Sequence, residues 1–152
     1  MLSRTVLLKL ITIKSIAISS LRGIKELSLP LDGKGLILFG ENGTGKSSIV
    51  DALEFFFTGS ISHLTSSKSL SLKNHGKHAK ASLKDLKVAL EFNPGGTTIT
   101  RTFSSTPDCP ASYKLMFEEA KRGTFILERS TLPGFCPNHK FCISYLHIPF
   151  SI

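Results

Sequence analysis

A glycine-rich segment at residues 40–48, which reads GENGTGKSS, restricts this chain to a small group of folds. It matches the pattern G-x-x-x-x-G-K-[ST] at every fixed position: Gly40, Gly45, Lys46 and Ser47. An apolar run at 36–39 precedes the segment, and a helical pattern at 48–57 follows it. This strand–loop–helix context is typical of a phosphate-binding loop (P-loop), and it predicts a nucleoside triphosphate with Mg²⁺ as the ligand.

The residue types in this segment suit a polyphosphate. We expect contacts with the nucleotide from Gly40, Glu41, Asn42, Gly43, Thr44, Gly45, Lys46, Ser47 and Ser48. The glycines allow positive φ and leave no Cβ in the way of a phosphate. The amides of residues 43–48 would form an anion-binding nest at the start of a helix. Lys46 would reach the β- and γ-phosphates, and the Ser47 hydroxyl would be a ligand of Mg²⁺.

Composition predicts one globular domain with a basic surface. The chain has 152 residues, of which 41% are apolar, and a formal net charge of +8, which favours an anionic partner. No apolar run approaches the roughly 18–20 residues that cross a bilayer, so we expect no membrane segment. Three cysteines make no disulfide framework, so we predict reduced thiols and a cytoplasmic protein.

Hydrophobic periodicity predicts strands on both sides of one long helix. The predicted strands lie at residues 7–18, 24–29, 36–39, 86–92, 97–103 and 124–127. The helix, at 46–57, should bury an apolar stripe formed by Ile49, Leu53, Phe56 and Phe57. Gly59 should end this helix, and the turn sequence at 93–96 is typical of a β-hairpin. Residues 111–121 also have helical character.

Residues 60–87, between the helix and the hairpin, are predicted to form a long basic loop with a short helix at its end. No acidic residue occurs from Phe55 to Lys84. The lysines of this stretch without acidic residues are Lys68, Lys73, Lys77, Lys80 and Lys84. No aromatic residue alternates with them, as a base-stacking surface would require. Their pattern alone fits either a solvated loop or a surface for phosphate groups.

Residues 131–152 differ in composition from the rest of the chain. Lys140 is the only formally charged side chain after Arg129, and no helix or strand period can be read. The segment contains four residues that bind Zn²⁺ in other proteins: Cys136, His139, Cys142 and His147. Their spacing is not one of the usual zinc patterns, so scattered residues in an atypical tail are the favoured interpretation.

A P-loop occurs in many families, and the residues around it narrow the choice among them. They are Leu21-Arg-Gly, Leu27-Ser-Leu and the run from Gly35 to Leu53. This neighbourhood resembles the N-terminal head segment of SMC-like ATPases, which include the SbcC-type DNA-repair ATPases, RecF and RecN, all relatives of ABC ATPase heads. The resemblance covers residues 7–59 and continues more loosely to Ser130. It implies an α/β fold: a P-loop NTPase N-lobe with a mixed β-sheet, forming an incomplete ABC-ATPase-like head.

The resemblance also implies site residues and partners. It places Arg22 near the nucleotide, implies ATP and Mg²⁺ as ligands, and suggests that the basic loop contacts the phosphate backbone of DNA. It further implies a process of the double-strand-break repair type. Members of this group carry a glutamine that senses Mg²⁺ and the γ-phosphate. The corresponding position here is Thr131, and the chain contains no glutamine at all.

Such heads are completed by a C-terminal lobe, which carries a signature motif and a Walker B strand and which these 152 residues lack. We therefore expect an N-lobe at 1–130, an atypical and possibly non-native tail at 131–152, and a complementary C-lobe or a homodimeric head as partner. Hydrolysis of ATP would need that second lobe. A truncated or frame-shifted product, an inactive remnant, and a small P-loop kinase or GTPase acting alone remain alternatives.

Overall fold

The structure, a computed structural model, describes residues 10–34, 36–41, 43–66, 68–105, 107, 110, 127–130, 143–146 and 150–151. The elements within these residues are, in chain order, β1 (Leu10–Leu21), β2 (Ile24–Pro30), β3 (Leu36–Leu38), α1 (Lys46–Thr58), α2 (Ser62–Thr65), a π-helical turn (Leu72–Gly76), a 3-10 turn (Leu83–Asp85), β4 (Lys87–Asn93), β5 (Thr97–Thr102), β6 (Leu127–Ser130), β7 (Ile143–Leu146) and β8 (Phe150–Ser151). The predicted α/β class is confirmed.

The main sheet is antiparallel and has the order β2, β1, β4, β5, with β8 pairing to the start of β1. A two-residue turn, Arg22 and Gly23, joins β1 to β2. The predicted hairpin is confirmed, because β4 and β5 pair in register as far as Phe92 opposite Thr97. Every pairing among the described strands is antiparallel.

A second sheet contains the strand that enters the P-loop. Its order is β3, β7, β6, with Ile37 opposite Tyr145. Thus β7 and β8 lie in the tail, where the sequence shows no strand period. Strands of four and two residues are too short to display alternation, and only their pairing partners define them. Residues 124–126 and the predicted helix at 111–121 lie outside the described residues.

Helix α1 packs against the main sheet and forms the centre of the core. The whole predicted stripe, Ile49, Leu53, Phe56 and Phe57, is buried. The ring of Phe56 meets that of Phe57 edge-on at 5.0 Å and lies 6.3 Å from that of Phe92 on β4. Burying one such side chain contributes about 1.5–3 kcal/mol, so this contact anchors the helix that follows the P-loop.

The C-terminal end of α1 is held by a glycine and an arginine. Gly59 has φ 79°, and its N–H donates to the carbonyl of Phe55 at 2.8 Å, as expected for the residue that ends the helix. Arg101 on β5 is buried, and its Nε donates to the carbonyl of Phe56 at 2.5 Å. Burial lowers the pKa of the Arg101 guanidinium below its ordinary value.

Candidate functional site

The segment between β3 and α1 is a loop built on glycines with positive φ. The φ angles of Gly40, Gly43 and Gly45 are 155°, 87° and 92°, as the sequence predicts. A Cβ added to Gly43 would meet no atom within 4 Å, so the backbone conformation, and not crowding, is what favours glycine there. The hydroxyl of Thr44 donates to the carbonyl of Glu41 at 2.9 Å and so closes the loop on itself.

Lys46 holds the two ends of this loop together. Its ammonium donates to the carbonyl of Gly40 at 2.8 Å, to the carbonyl of Glu41 and to the hydroxyl of Thr44 at 3.2 Å. These are three acceptors for the three N–H donors of an ammonium group. The positive charge therefore lies within the loop, where the glycine-rich backbone would meet a phosphate.

The two neighbouring serines in the first turn of α1 differ in burial. The Ser48 amide donates to the carbonyl of Gly45 at 3.0 Å, and its buried hydroxyl accepts from the amide of Gly23 at 3.4 Å. Ser48 thus ties the P-loop helix to the β1–β2 turn. Ser47 is exposed, so its hydroxyl is the one of the two that can reach a metal ion bound with a nucleotide.

An open cavity of about 550 Å³ lies over the P-loop, within the range of roughly 300–1,000 Å³ usual for small-molecule sites. Three stretches of chain line it. They are the P-loop (Gly43, Gly45, Lys46, Ser47, Ser48), the β1–β2 turn (Arg22, Gly23) and part of the basic loop (Asn74, His75, Lys77, Ala79). Three lining residues carry a full positive charge, and none is an aspartate or a glutamate.

The basic loop reaches this cavity because its backbone docks on the end of β1. Gly76 accepts a hydrogen bond from the amide of Arg22 at 2.9 Å, and the amide of His78 donates to the carbonyl of Ser20 at 2.8 Å. Between these two bonds, Lys77 forms a β-bridge with Leu21. The loop therefore forms one wall of the cavity, and the P-loop forms another.

The five lysines that form one group in the sequence differ in their position relative to the cavity. Lys77 lines the cavity, whereas Lys68, Lys73, Lys80 and Lys84 are exposed and lie outside its lining. The family resemblance predicts DNA contacts for Lys77 together with the other four lysines, and no sequence pattern predicts a role for Asn74, His75 or Ala79. The basic composition of the loop was the available signal, but composition does not reveal which side chains turn towards the P-loop.

Arg22, which the family resemblance predicts to lie near the nucleotide, lines the cavity. It has φ 50°, an uncommon conformation for a residue with a side chain. Its Nε is 3.1 Å from Oδ2 of Asp51 on α1, and this carboxylate is completely buried. The Nδ1 atom of His63 on α2 lies 3.6 Å from the other oxygen of Asp51.

Some predicted site residues are outside the described part of the chain: Asn42, Thr131, Cys136, His139, Cys142 and His147. Among the described residues, no group of three or more histidines, cysteines, aspartates or glutamates is arranged to hold a metal ion. Within the same residues, no helix is both long and apolar enough to cross a membrane.

Comparison with known proteins gives one family match and several partial relatives. The sequence profile of the AAA ATPase domain matches residues 12–139. DNA replication and repair protein RecF from Rickettsia canadensis (strain McKiel) is 38% identical over 52 residues, which are 34% of this chain and 14% of that relative. RecF proteins from Rickettsia akari (strain Hartford) and Rickettsia felis have the same identity and coverage. No solved structure matches the chain at a significant level.

Proposed function

This chain belongs to the AAA ATPase domain family, and from that membership we propose that it binds ATP with Mg²⁺ in the cavity over residues 40–48. The observation that carries the proposal is the arrangement of charge. Lys46, Arg22 and Lys77 reach one cavity from three separate stretches of chain, and no carboxylate lines it. Such a site favours a polyphosphate, because no acidic side chain lines it and the carboxylate paired with a lining cation, that of Asp51 with Arg22, lies outside the lining.

The proposed ligand fits the atoms available. Two of the positive-φ glycines, Gly43 and Gly45, line the cavity, and a backbone in this conformation suits the oxygens of a phosphate. When ATP binds, the Lys46 ammonium would exchange loop carbonyls for phosphate oxygens. The exposed Ser47 hydroxyl would be the protein ligand of Mg²⁺, which usually keeps several waters and takes its remaining ligands from phosphates.

ATP turnover is proposed to need a second lobe. Hydrolysis requires a group that orients the attacking water and groups that stabilise charge in the transition state. The cavity lining supplies cations but no carboxylate. A complementary C-lobe or a second head would provide the missing groups.

Exposed apolar side chains near the strand that enters the P-loop are a reason to propose an additional lobe. Ile37 and Phe39, at and just after β3, are 64% and 63% exposed. Two large apolar side chains exposed on the same stretch of chain would contribute to a surface on which another lobe packs. We place the chain in an SMC-like, DNA-processing ATPase of the repair type, as half of a head. The RecF relatives support the DNA-repair context, although the matching segment is 14% of their own length.

The decisive test is ATP binding by the Lys46→Ala variant. Titration of the chain with a fluorescent ATP analogue in the presence of Mg²⁺ should give saturable binding that Lys46→Ala abolishes. A parallel titration with excess chelator is the metal-free comparison. The matched control is Lys25→Ala, which removes an exposed lysine on β2. Wild-type affinity in Lys46→Ala, with circular dichroism reporting a folded protein, would refute the proposal. Preference for GTP over ATP would favour a GTPase instead.

A further inference from the structure

We infer that Asp51 is a positioning residue, which holds the Arg22 guanidinium in the lining of the cavity by an ion pair so that its η nitrogens face the nucleotide. The inference rests on the proposed ATP site. It concerns a residue on the buried side of α1, one that does not line the cavity itself.

The first step is the electrostatics of Asp51. A carboxylate with no exposed surface is costly unless it is paired and hydrogen-bonded. Arg22 supplies a permanent positive charge 3.1 Å from Oδ2, and its side chain is 30% exposed. The pair therefore joins a fully buried anion to a cation that still reaches the cavity.

The second step is the geometry of the guanidinium. An arginine carries five N–H donors in a rigid fork, and the contact with Asp51 is made through Nε. Nε carries one of the five donors, so the others are on the two η nitrogens at the end of the side chain. The ion pair keeps the rigid guanidinium beside Asp51, and a planar fork held there suits two oxygens of one phosphate.

The third step is that Arg22 is held both by its backbone and by its side chain. Its backbone amide donates to the carbonyl of Gly76 at 2.9 Å, and the neighbouring Gly23 amide donates to Ser48 at 3.4 Å. These bonds keep the β1–β2 turn in place, but they do not orient a long side chain. Asp51 is the contact that does so, and Arg22 carries a φ of 50° within this arrangement.

His63 contacts the other oxygen of the same carboxylate. Its Nδ1 is 3.6 Å from Oδ1, and its side chain is 38% exposed. Asp51 therefore lies between Arg22 on one side and a histidine of α2 on the other. Only the Arg22 side leads to the cavity, because His63 is not among the residues that line it.

The test is a double-mutant cycle on ATP affinity in the full chain. Arg22→Ala should weaken ATP binding about tenfold, and Asp51→Asn about fivefold, each relative to wild type. Because Asp51 acts through Arg22, adding Asp51→Asn to Arg22→Ala should cause no further loss. Equal fivefold losses in both backgrounds, or wild-type affinity in Asp51→Asn, would overturn the inference.

Two further variants separate positioning from general destabilisation. Glu91→Gln breaks an ion pair outside the cavity lining, so it should lower thermal stability without changing ATP affinity. Arg22→Lys keeps a cation beside the buried carboxylate but loses the fork, and it should still weaken ATP binding severalfold. Wild-type affinity in Arg22→Lys would contradict the inference even if Asp51→Asn failed to fold. Loss of ATP binding in Lys46→Ala together with wild-type affinity in Asp51→Asn would leave the ATP site standing and remove only this inference.

Discussion

The guanidinium of Arg101 on β5 donates from Nε to the carbonyl oxygen of Phe56, 2.5 Å away in the last turn of α1. The same guanidinium carbon lies 6.0 Å from the centre of the Phe55 ring. A buried cation at the C-terminal end of a helix meets the negative end of the helix dipole and satisfies a carbonyl that has no partner within the helix. The helix that starts at the P-loop is thus fixed to the main sheet at its far end.

Gly59 is the position where this arrangement is most sensitive to a side chain. A Cβ there would lie 2.9 Å from Nη1 of Arg101, and the φ of 79° already disfavours a side chain. Gly59→Ala should therefore lower the free energy of unfolding by about 2–3 kcal/mol, of which ~1–2 kcal/mol is backbone strain. Urea denaturation followed by circular dichroism measures the loss.

Gly43→Ala is the matched control for that prediction. Gly43 has a φ of 87°, close to that of Gly59, but a Cβ there would meet nothing within 4 Å. It should show the backbone strain alone, about 1–2 kcal/mol. Equal losses in the two variants would mean that contact with Arg101 contributes nothing.

Much of this fold can be predicted from local sequence, because its determinants are local. The P-loop, the buried stripe of α1, the stop at Gly59 and the hairpin turn at 93–96 each depend on residues within a few positions of one another. The pairing of Arg22 with Asp51 joins positions far apart in sequence, and α1 periodicity alone does not indicate why a carboxylate should be buried.

The second wall of the cavity is also set by long-range contacts. Backbone bonds from Ser20 and Arg22 to residues 76 and 78 determine which face of the basic loop meets the P-loop. Backbone groups are identical in every residue, so this docking leaves no residue pattern. Family resemblance, and not periodicity, was what indicated Arg22, and nothing indicated Asn74 or His75.

Lys77 and Lys73 should differ in their effects on ATP binding. Lys77 lines the cavity, and Lys73 is exposed outside its lining. Lys77→Ala should weaken ATP binding about fivefold, equivalent to ~1 kcal/mol, because a charge beside the polyphosphate is lost. Lys73→Ala should leave ATP affinity unchanged. Titration with a fluorescent ATP analogue makes the comparison, and equal effects would contradict the division of the basic loop.

DNA binding should follow the opposite order. Exposed lysines contact phosphates without reading sequence, so Lys73→Ala should weaken binding to a short duplex more than Lys77→Ala does. The effect should diminish as salt is raised, because displaced counterions supply much of the affinity. Fluorescence anisotropy at two salt concentrations measures it. Duplex affinity that is independent of salt would argue against phosphate contacts by this loop.

Ile37 should matter for association more than for folding. Its side chain is 64% exposed, so Ile37→Ser should change the free energy of unfolding by less than about 0.5 kcal/mol. The same change should reduce self-association in light scattering, because it removes part of an exposed apolar surface. Ile18→Ser is the contrasting variant, since Ile18 is completely buried and its loss should unfold the chain. Unaltered scattering in Ile37→Ser would argue against a packing surface at β3.

The ion pair between Lys14 and Glu91 should make stability depend on pH. Nζ of Lys14 lies 2.7 Å from Glu91, and this hydrogen bond lowers the pKa of Glu91 below its ordinary 4.5 and raises that of Lys14 above 10.5. A lowered carboxyl pKa stabilises the fold above the unfolded value, and that stability is lost as pH falls through the folded pKa. A raised lysine pKa stabilises below its unfolded value, and its contribution is lost as pH rises through the folded one.

The stability difference between wild type and Glu91→Gln should therefore be largest between these limits. It should shrink in acid below pH 4.5 and again in alkali above pH 10.5. Added salt should reduce it at neutral pH, because Lys14 is partly exposed with 44% of its side chain accessible. Urea denaturation of both proteins across this pH range provides the measurement. A difference that stays constant into acid would mean that the hydrogen bond of Glu91 with Ser15, and not its charge, is what the substitution removes.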